Sequence, residues 1–350
     1  MPMRHSIHCL LLASLIGLSN HKSAIADIVT FAQGENQFQV DFVPIRHTTN
    51  RADTLGNPNP VGAVRYNYYM GKYEISRSVV TRANNAWSLG ITLDAMQGIN
   101  DGTNPNKPAT GVSWIEAAKF VNQLNTSKGF QAAYNFNSSG QLTTWGASDA
   151  WQPSSSNDPD NGDRTNWIRH KHAAFWIPSV DEWYKSAYYD PNRNGTGGYW
   201  NYATGGDNLP TAVEQGTTPG TAVFGLGYSV GPATIDNAGG LSPLGTMAQN
   251  GNVWEWTETD VDLINDLPNA NRITRGGSWY LNEAGMSRTE RFNEVPGYEA
   301  GNAGFRIAAN FSAVPEPASL SLVSACAGFA FVGRCLSRRF KTKKNNELAK

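Results

Sequence analysis

The sequence predicts an α+β fold with short strands, two or more helices and long irregular loops, and three observations carry that expectation. Alternation of apolar and polar residues comes only in short stretches, two Ser-x-x-Glu capping boxes open helical patterns, and turn formers interrupt the remainder too often for long regular elements.

Taken in order, residues 27–75 read as short strands, with alternation around Phe38–Val43 and Tyr66–Ile75, separated by the turn-rich Asn57-Pro58-Asn59-Pro60. Ser113 with Glu116 opens a helix to about Asn125, whose Ile115, Ala118, Val121 and Leu124 share one face. Ser179 with Glu182 opens a shorter helix to about Tyr188. Gly, Asn, Asp, Ser, Thr and Pro dominate residues 140–166 and 191–245, which predicts long loops ordered by something other than a ladder. No repeat or internal linker divides the chain, so residues 27–313 form one domain, with enough length and enough Trp and Tyr for a single core.

Both ends read as sorting segments. Residues 1–26 carry a basic start at Arg4, an apolar run from Cys9 to Leu18 and Ala24-Ile25-Ala26, the layout of a cleavable signal peptide. At the other end, residues 314–350 hold Pro315-Glu316-Pro317, an uncharged run 318–333 and a basic tail 334–350. Sixteen residues at helical rise reach about 24 Å, a marginal transmembrane helix whose cations would stay on the cytoplasmic side. The order Pro-Glu-Pro, apolar run, basic end resembles the PEP-CTERM sorting segment of bacteria that export proteins with surface polysaccharide. That resemblance implies transient residence in the inner membrane and a sorting protease as partner; a plain membrane anchor is the alternative.

The formal charge of −1 hides a division. Without Arg4, Lys22, the seven cations from Arg334 onward and Glu347, 19 basic residues face 28 acidic ones. That excess argues against nucleic acid as a partner, because phosphate binding needs cationic neutralisation. It suits a secreted protein at the cell surface, in the outer envelope or in the extracellular matrix. Cys9, Cys326 and Cys335 are the only cysteines, so the body has no disulfide framework.

The chemistry-bearing text is Gly251-Asn252-Val253-Trp254-Glu255-Trp256, then Arg275-Gly276-Gly277-Ser278-Trp279, then Gly304-Phe305-Arg306. Upstream stand Tyr69-Met70-Gly71-Lys72-Tyr73-Glu74, Val112-Ser113-Trp114 and Ile177-Pro178-Ser179-Val180-Asp181-Glu182-Trp183. In this order the blocks resemble the formylglycine-generating, sulfatase-modifying-factor family, whose domain is a variant of the C-type lectin fold. In its activating members two cysteines between the last two blocks bind copper and oxidise a client cysteine. Counting from Ser278, those positions fall on Leu281 and Met286, and residues 10–325 contain no cysteine. Neither side chain can ionise to a copper-binding, redox-active thiolate, so no copper and no oxidase activity are expected.

The resemblance implies a cleft bordered by Trp279, Tyr280, Asn282, Glu283 and Tyr298, where aromatic faces and polar neighbours suit sugars or extended peptides. It also implies calcium held by carbonyls of Gly251 and Val253 and by the Glu255 carboxylate, although Ala248 stands where the family has a further oxygen ligand. The plainer reading of that block makes the tryptophans core and pairs Glu255 with Arg275 or Arg306. Asp190, Asn192 and Asn194 are spaced like the start of a calcium loop, yet Asn201 occupies the closing glutamate position, so an Asn/Gly turn competes. His170 and His172 could share a transition metal on one strand face, with Asp158, Asp160 and Asp163 as nearby acids, or form a solvated edge. Ser278 lacks a Gly-x-Ser-x-Gly elbow.

These readings favour an exported binding protein on a scaffold that has lost its thiol chemistry. An enzyme of different chemistry, a metal-dependent oxygenase or hydrolase acting in the retained cleft, is the alternative, and a structural component with a filled cleft is a third.

Overall fold

The computed structural model describes residues 27–152 and 165–314. The signal-like residues 1–26, the acids Asp158, Asp160 and Asp163, and Pro315, Glu316, Pro317 with the apolar run and basic tail lie outside the described residues. Among the described residues no helix is long and apolar enough to cross a membrane.

In chain order the principal elements are β1 (Asp27–Phe31), β2 (Phe38–Ile45), β3 (Tyr68–Gly71), α1 (Arg77–Trp87), α2 (Trp114–Ser127), β4 (Asn166–His170), β5 (Phe175–Trp176) and α3 (Val180–Tyr188). They continue with β6 (Trp254–Asp260), β7 (Arg272–Arg275), β8 (Phe292–Glu294), β9 (Ala303–Gly304) and β10 (Ala308–Ala309). One sheet runs β1-β2-β3-β10-β5, every pair antiparallel, and brings the last strand of the domain against the third. A second sheet runs β8-β7-β6-β9, in which only the β6–β9 pair is parallel. Few helices and many short strands make this an α+β domain of the C-type-lectin-like kind.

Alternation sets the first sheet. Val29, Phe31, Phe38, Val40 and Phe42 point inward at period two and meet the inner face of α2, where Trp114, Ala117, Ala118, Phe120, Val121 and Leu124 are buried. Ile115, expected on that face, is only partly buried, because the helix turns Trp114 and Ala117 inward instead. Both capping boxes form: Ser113 and Ser179 each accept from the backbone N–H three residues on, and Glu116 and Glu182 return the bond. Helix α1 was not foreseen. It is capped by Ser76 but buries only Val80 and Ala83, so its Arg- and Asn-rich sequence gives a weak apolar stripe.

The sequence blocks are the places where the two sheets lock together. The Trp114 indole donates to Thr257 O at 3.0 Å, and the Trp256 indole donates back to Val112 O at 2.9 Å, tying the start of α2 to β6. Arg306 places Nε and Nη2 on the two oxygens of Glu255, and donates also to Gly71 O and Met247 O. Trp183 of α3 completes the carboxylate's partners at 2.7 Å. Arg275 instead donates to the carbonyls of Asn57, Arg288 and Glu290. Gly251 is forced: its φ is +80° and a Cβ there would stand 2.1 Å from Val223 O.

Candidate functional site

A cleft of about 330 Å³ opens at the edge of the second sheet. Trp254 and Trp256 on β6, Thr274 on β7 and Phe292 and Glu294 on β8 supply one wall from a single sheet face, as period two requires. Tyr228, Tyr280, Tyr298 and Asn302 come from loops. Trp256 is fully buried, whereas Tyr228, Phe292 and Tyr298 are each about half exposed, at 52, 53 and 49 %. Asn302 Nδ2 donates to the Tyr280 hydroxyl at 2.9 Å, which fixes that ring at the rim. Burial, then the neighbouring Tyr228 and Tyr298 hydroxyls, push the Tyr280 phenol up, which favours its protonated form.

The five residues expected around the cleft are divided by the structure. Tyr280 and Tyr298 line it. Trp279 is corrected to a buried position: its indole donates to Tyr228 O at 3.1 Å, and its ring packs edge-on against Tyr280 at 5.1 Å, so it supports the cleft from behind. Asn282 and Glu283 are exposed outside it, Asn282 capping the short 3-10 helix Glu283–Met286 by accepting from Ala284 N. Tyr228, Phe292, Glu294 and Asn302 were missed. Their signal was the alternation of Phe292 with Glu294 and of Trp254 with Trp256, a two-residue period too short to stand out; for Tyr228 and Asn302, in loops, there was none.

Leu281, which follows Tyr280 of this cleft, packs beside Gly285, the residue before Met286. A Cβ on Gly285 would meet Leu281 Cδ1 at 3.4 Å, and one on Gly277 would meet Gly285 O at 2.9 Å and Met286 Cγ at 3.3 Å. Met286 is fully buried against Ala222 and Phe224, and neither side chain lines the aromatic cleft. A leucine side chain and a thioether supply no ionisable group.

The two carboxylates considered for calcium, Glu255 and Asp190, have partners within the fold. Both oxygens of Glu255 accept from Arg306, and Trp183 shares one, so a calcium shell with Gly251 and Val253 would have to break a buried ion pair. The partner is Arg306, not Arg275. Asp190 accepts from Asn192 N and from the Trp200 indole, while Asn194 takes φ +54° in the hairpin that pairs Tyr189–Asp190 with Gly198–Tyr199. This is an Asn/Gly turn whose carboxylate is used internally. His170 Nδ1 accepts from His172 N, its Nε2 lies 4.0 Å from Asp149, and the two imidazole rings stand 5.5 Å apart. One acidic group was missed, Asp260, Asp262 and Asp266, whose oxygens lie within 4.8 Å. Asp260 there accepts from Ile264 N and Asn265 N and shapes the loop after β6.

A C-type-lectin-like domain whose sheets are joined by Glu255–Arg306, with an aromatic cleft at one sheet edge, defines the class of this protein. Residues 18–311 match the Sulfatase-modifying factor enzyme 1-like domain, and the chain belongs to that family. No curated protein matches the chain. Among solved structures it is similar to Treponema denticola variable protein 1, at 18% identity and TM-score 0.52, over 81% of this chain and 99% of that one. It is also similar to CarF, at 18% identity and TM-score 0.50, over 78% and 98% of the two chains. PvdO from Pseudomonas aeruginosa aligns at 13% identity and TM-score 0.48, over 81% and 98%. At these identities the first two likenesses establish the fold alone.

Proposed function

We propose that this chain is an exported, cell-surface or matrix-associated binding protein that uses the cleft of Tyr228, Trp254, Tyr280, Phe292 and Tyr298, and that it does not generate formylglycine. The observation that carries the reading is the contrast between two adjoining places. The positions that the resemblance assigns to the family's cysteines hold Leu281 and a fully buried Met286, while the cleft that includes the neighbouring Tyr280 leaves aromatic rings half exposed. Large aromatic surface left in contact with water costs solvation free energy, about 25 cal/mol per Å², which a bound ligand recovers. Surface polysaccharide or peptide is the ligand class in view, and the signal-like and Pro-Glu-Pro segments support passage through the inner membrane, with a sorting protease as transient partner. Calcium is not required for this reading.

Glycan and peptide arrays probed with the full-length chain test it. Retention that falls on Tyr280→Ala and Tyr298→Ala is the expected result. A client cysteine peptide incubated with the protein, copper and oxygen is expected to yield no aldehyde; aldehyde formation, or array binding indifferent to both substitutions, would overturn the reading.

A further inference from the structure

The charges around the cleft narrow its ligand. Of the residues lining it, Glu294 is the only charged one, and no Lys, Arg or His is among them. Glu294 is half-buried, and its carboxylate makes no hydrogen bond or ion pair among the described residues. An unpaired carboxylate on an aromatic wall repels anions and offers a neutral sugar only an acceptor. For a cation it is a counter-charge already in place.

The rings point the same way. This fold repeatedly covers its aromatic faces with its own cations: Arg169 lies over Trp151 and Trp176, Arg193 over Trp200, and Arg275 over Trp183 and Tyr184. Among the described residues none lies over Tyr228, Trp254, Tyr280, Phe292 or Tyr298. Two inclined ring pairs border the space, Tyr228 with Tyr280 at 5.6 Å and 65°, and Trp254 with Phe292 at 6.3 Å and 39°. Inclined rings present faces and edges from several directions, and a cation is attracted to the faces.

We propose that the cleft recognises a methylated ammonium group, held against the faces of its aromatic rings with Glu294 as counter-ion. Methylation decides between cations. A bare ammonium must exchange several hydrogen bonds to water for protein acceptors, and the side chains of the cleft provide one free carboxylate, a few phenol oxygens and the Asn302 amide oxygen. A trimethylammonium group has no N–H to satisfy, is weakly hydrated and fills space with methyl surface, which suits rings better than acceptors. This deepens the binding reading above and rests on it.

The test is titration of the full-length chain with choline, followed by Trp fluorescence, beside 3,3-dimethylbutan-1-ol, its neutral isostere. Choline is expected to bind at least roughly tenfold more tightly than the isostere, and Glu294→Gln to remove most of that difference. Tyr298→Leu, which keeps apolar area but removes a ring, should weaken choline and spare the isostere. Co-sedimentation with phosphatidylcholine vesicles separates a lipid head group from a free solute: pelleting abolished by Glu294→Gln identifies the lipid, and choline binding without pelleting identifies the solute, either in support. Equal affinity for choline and its isostere would overturn the proposal. So would a cleft that takes a neutral oligosaccharide or peptide but not choline, which leaves the binding reading standing; an empty cleft across every probe and array would remove both.

Discussion

Glu255 shows how a residue that looks like a ligand can be a strut. Its carboxylate, fully buried, answers the guanidinium of Arg306 and the indole of Trp183, three residues from three separate sequence blocks. Removing one partner of a buried pair leaves the other charge uncompensated, at about 3–5 kcal/mol. Glu255→Gln should therefore lower the unfolding free energy in urea by that amount, and added calcium should not restore it. A second buried group gives a pH signature. One guanidinium, Arg169, serves two carboxylates, lying 3.2 Å from Glu182 and 3.4 Å from Glu258. Burial pushes the Glu258 carboxyl up to about 7, against the pull of Arg169 and with the repulsion of Glu182 adding to it. A carboxyl whose folded pKa lies above its unfolded value favours the fold most when protonated. Its contribution is complete below the ordinary value of 4.5 and is lost as pH rises through about 7. Denaturant midpoints should decline across that window, and Glu258→Gln should flatten the decline; a midpoint that rises over the same window would contradict the assignment. The pairing of Glu255 was legible in sequence only as a choice between two arginines, because strand register, which places Glu255 opposite Arg275 yet aims its carboxylate at Arg306, is a tertiary fact.

Among the elements, those announced by local chemistry were legible and those built by tertiary contact were not. Ser113 with Glu116 and Ser179 with Glu182 mark helix starts because the hydrogen bonds that cap them are made within four residues. Ser179→Ala should cost about 1 kcal/mol and Ser179→Gly only a few tenths, read as shifts in thermal midpoint. Helix α1 lacks a Glu at the third position and turns only Val80 and Ala83 inward, so neither signal was present. The two-residue strands β5, β9 and β10 are too short for any period to register; they exist because neighbours offer them ladder partners. Gly251 belongs at this scale too. Its positive φ and the approach of Val223 O leave no room for a methyl group, so Gly251→Ala should destabilise by on the order of 3 kcal/mol.

For the whole molecule, the order of the blocks made the fold readable, since each block forms a joint of the same framework: Gly71 and Met247 carbonyls, Glu255 and Arg306 meet at one point. The ligand cleft was half readable. Tyr280 and Tyr298 lie close in sequence to the joints, but Tyr228 arrives from the long turn-rich segment and Glu294 from a strand three residues long. Long loops carry such surfaces because a rigid sheet behind them fixes their positions. The framework and the cleft should then separate in experiment: changes at Glu255 or Gly251 destabilise the domain, whereas changes at Tyr280 and Tyr298 leave its thermal midpoint in place and remove the ligand. The most direct measurement is a binding isotherm of the full-length chain and its Tyr280→Ala/Tyr298→Ala variant for the array-selected ligand, with thermal midpoints recorded on the same samples. Loss of binding at an unchanged midpoint is the predicted result; equal affinity of the two proteins would contradict the account.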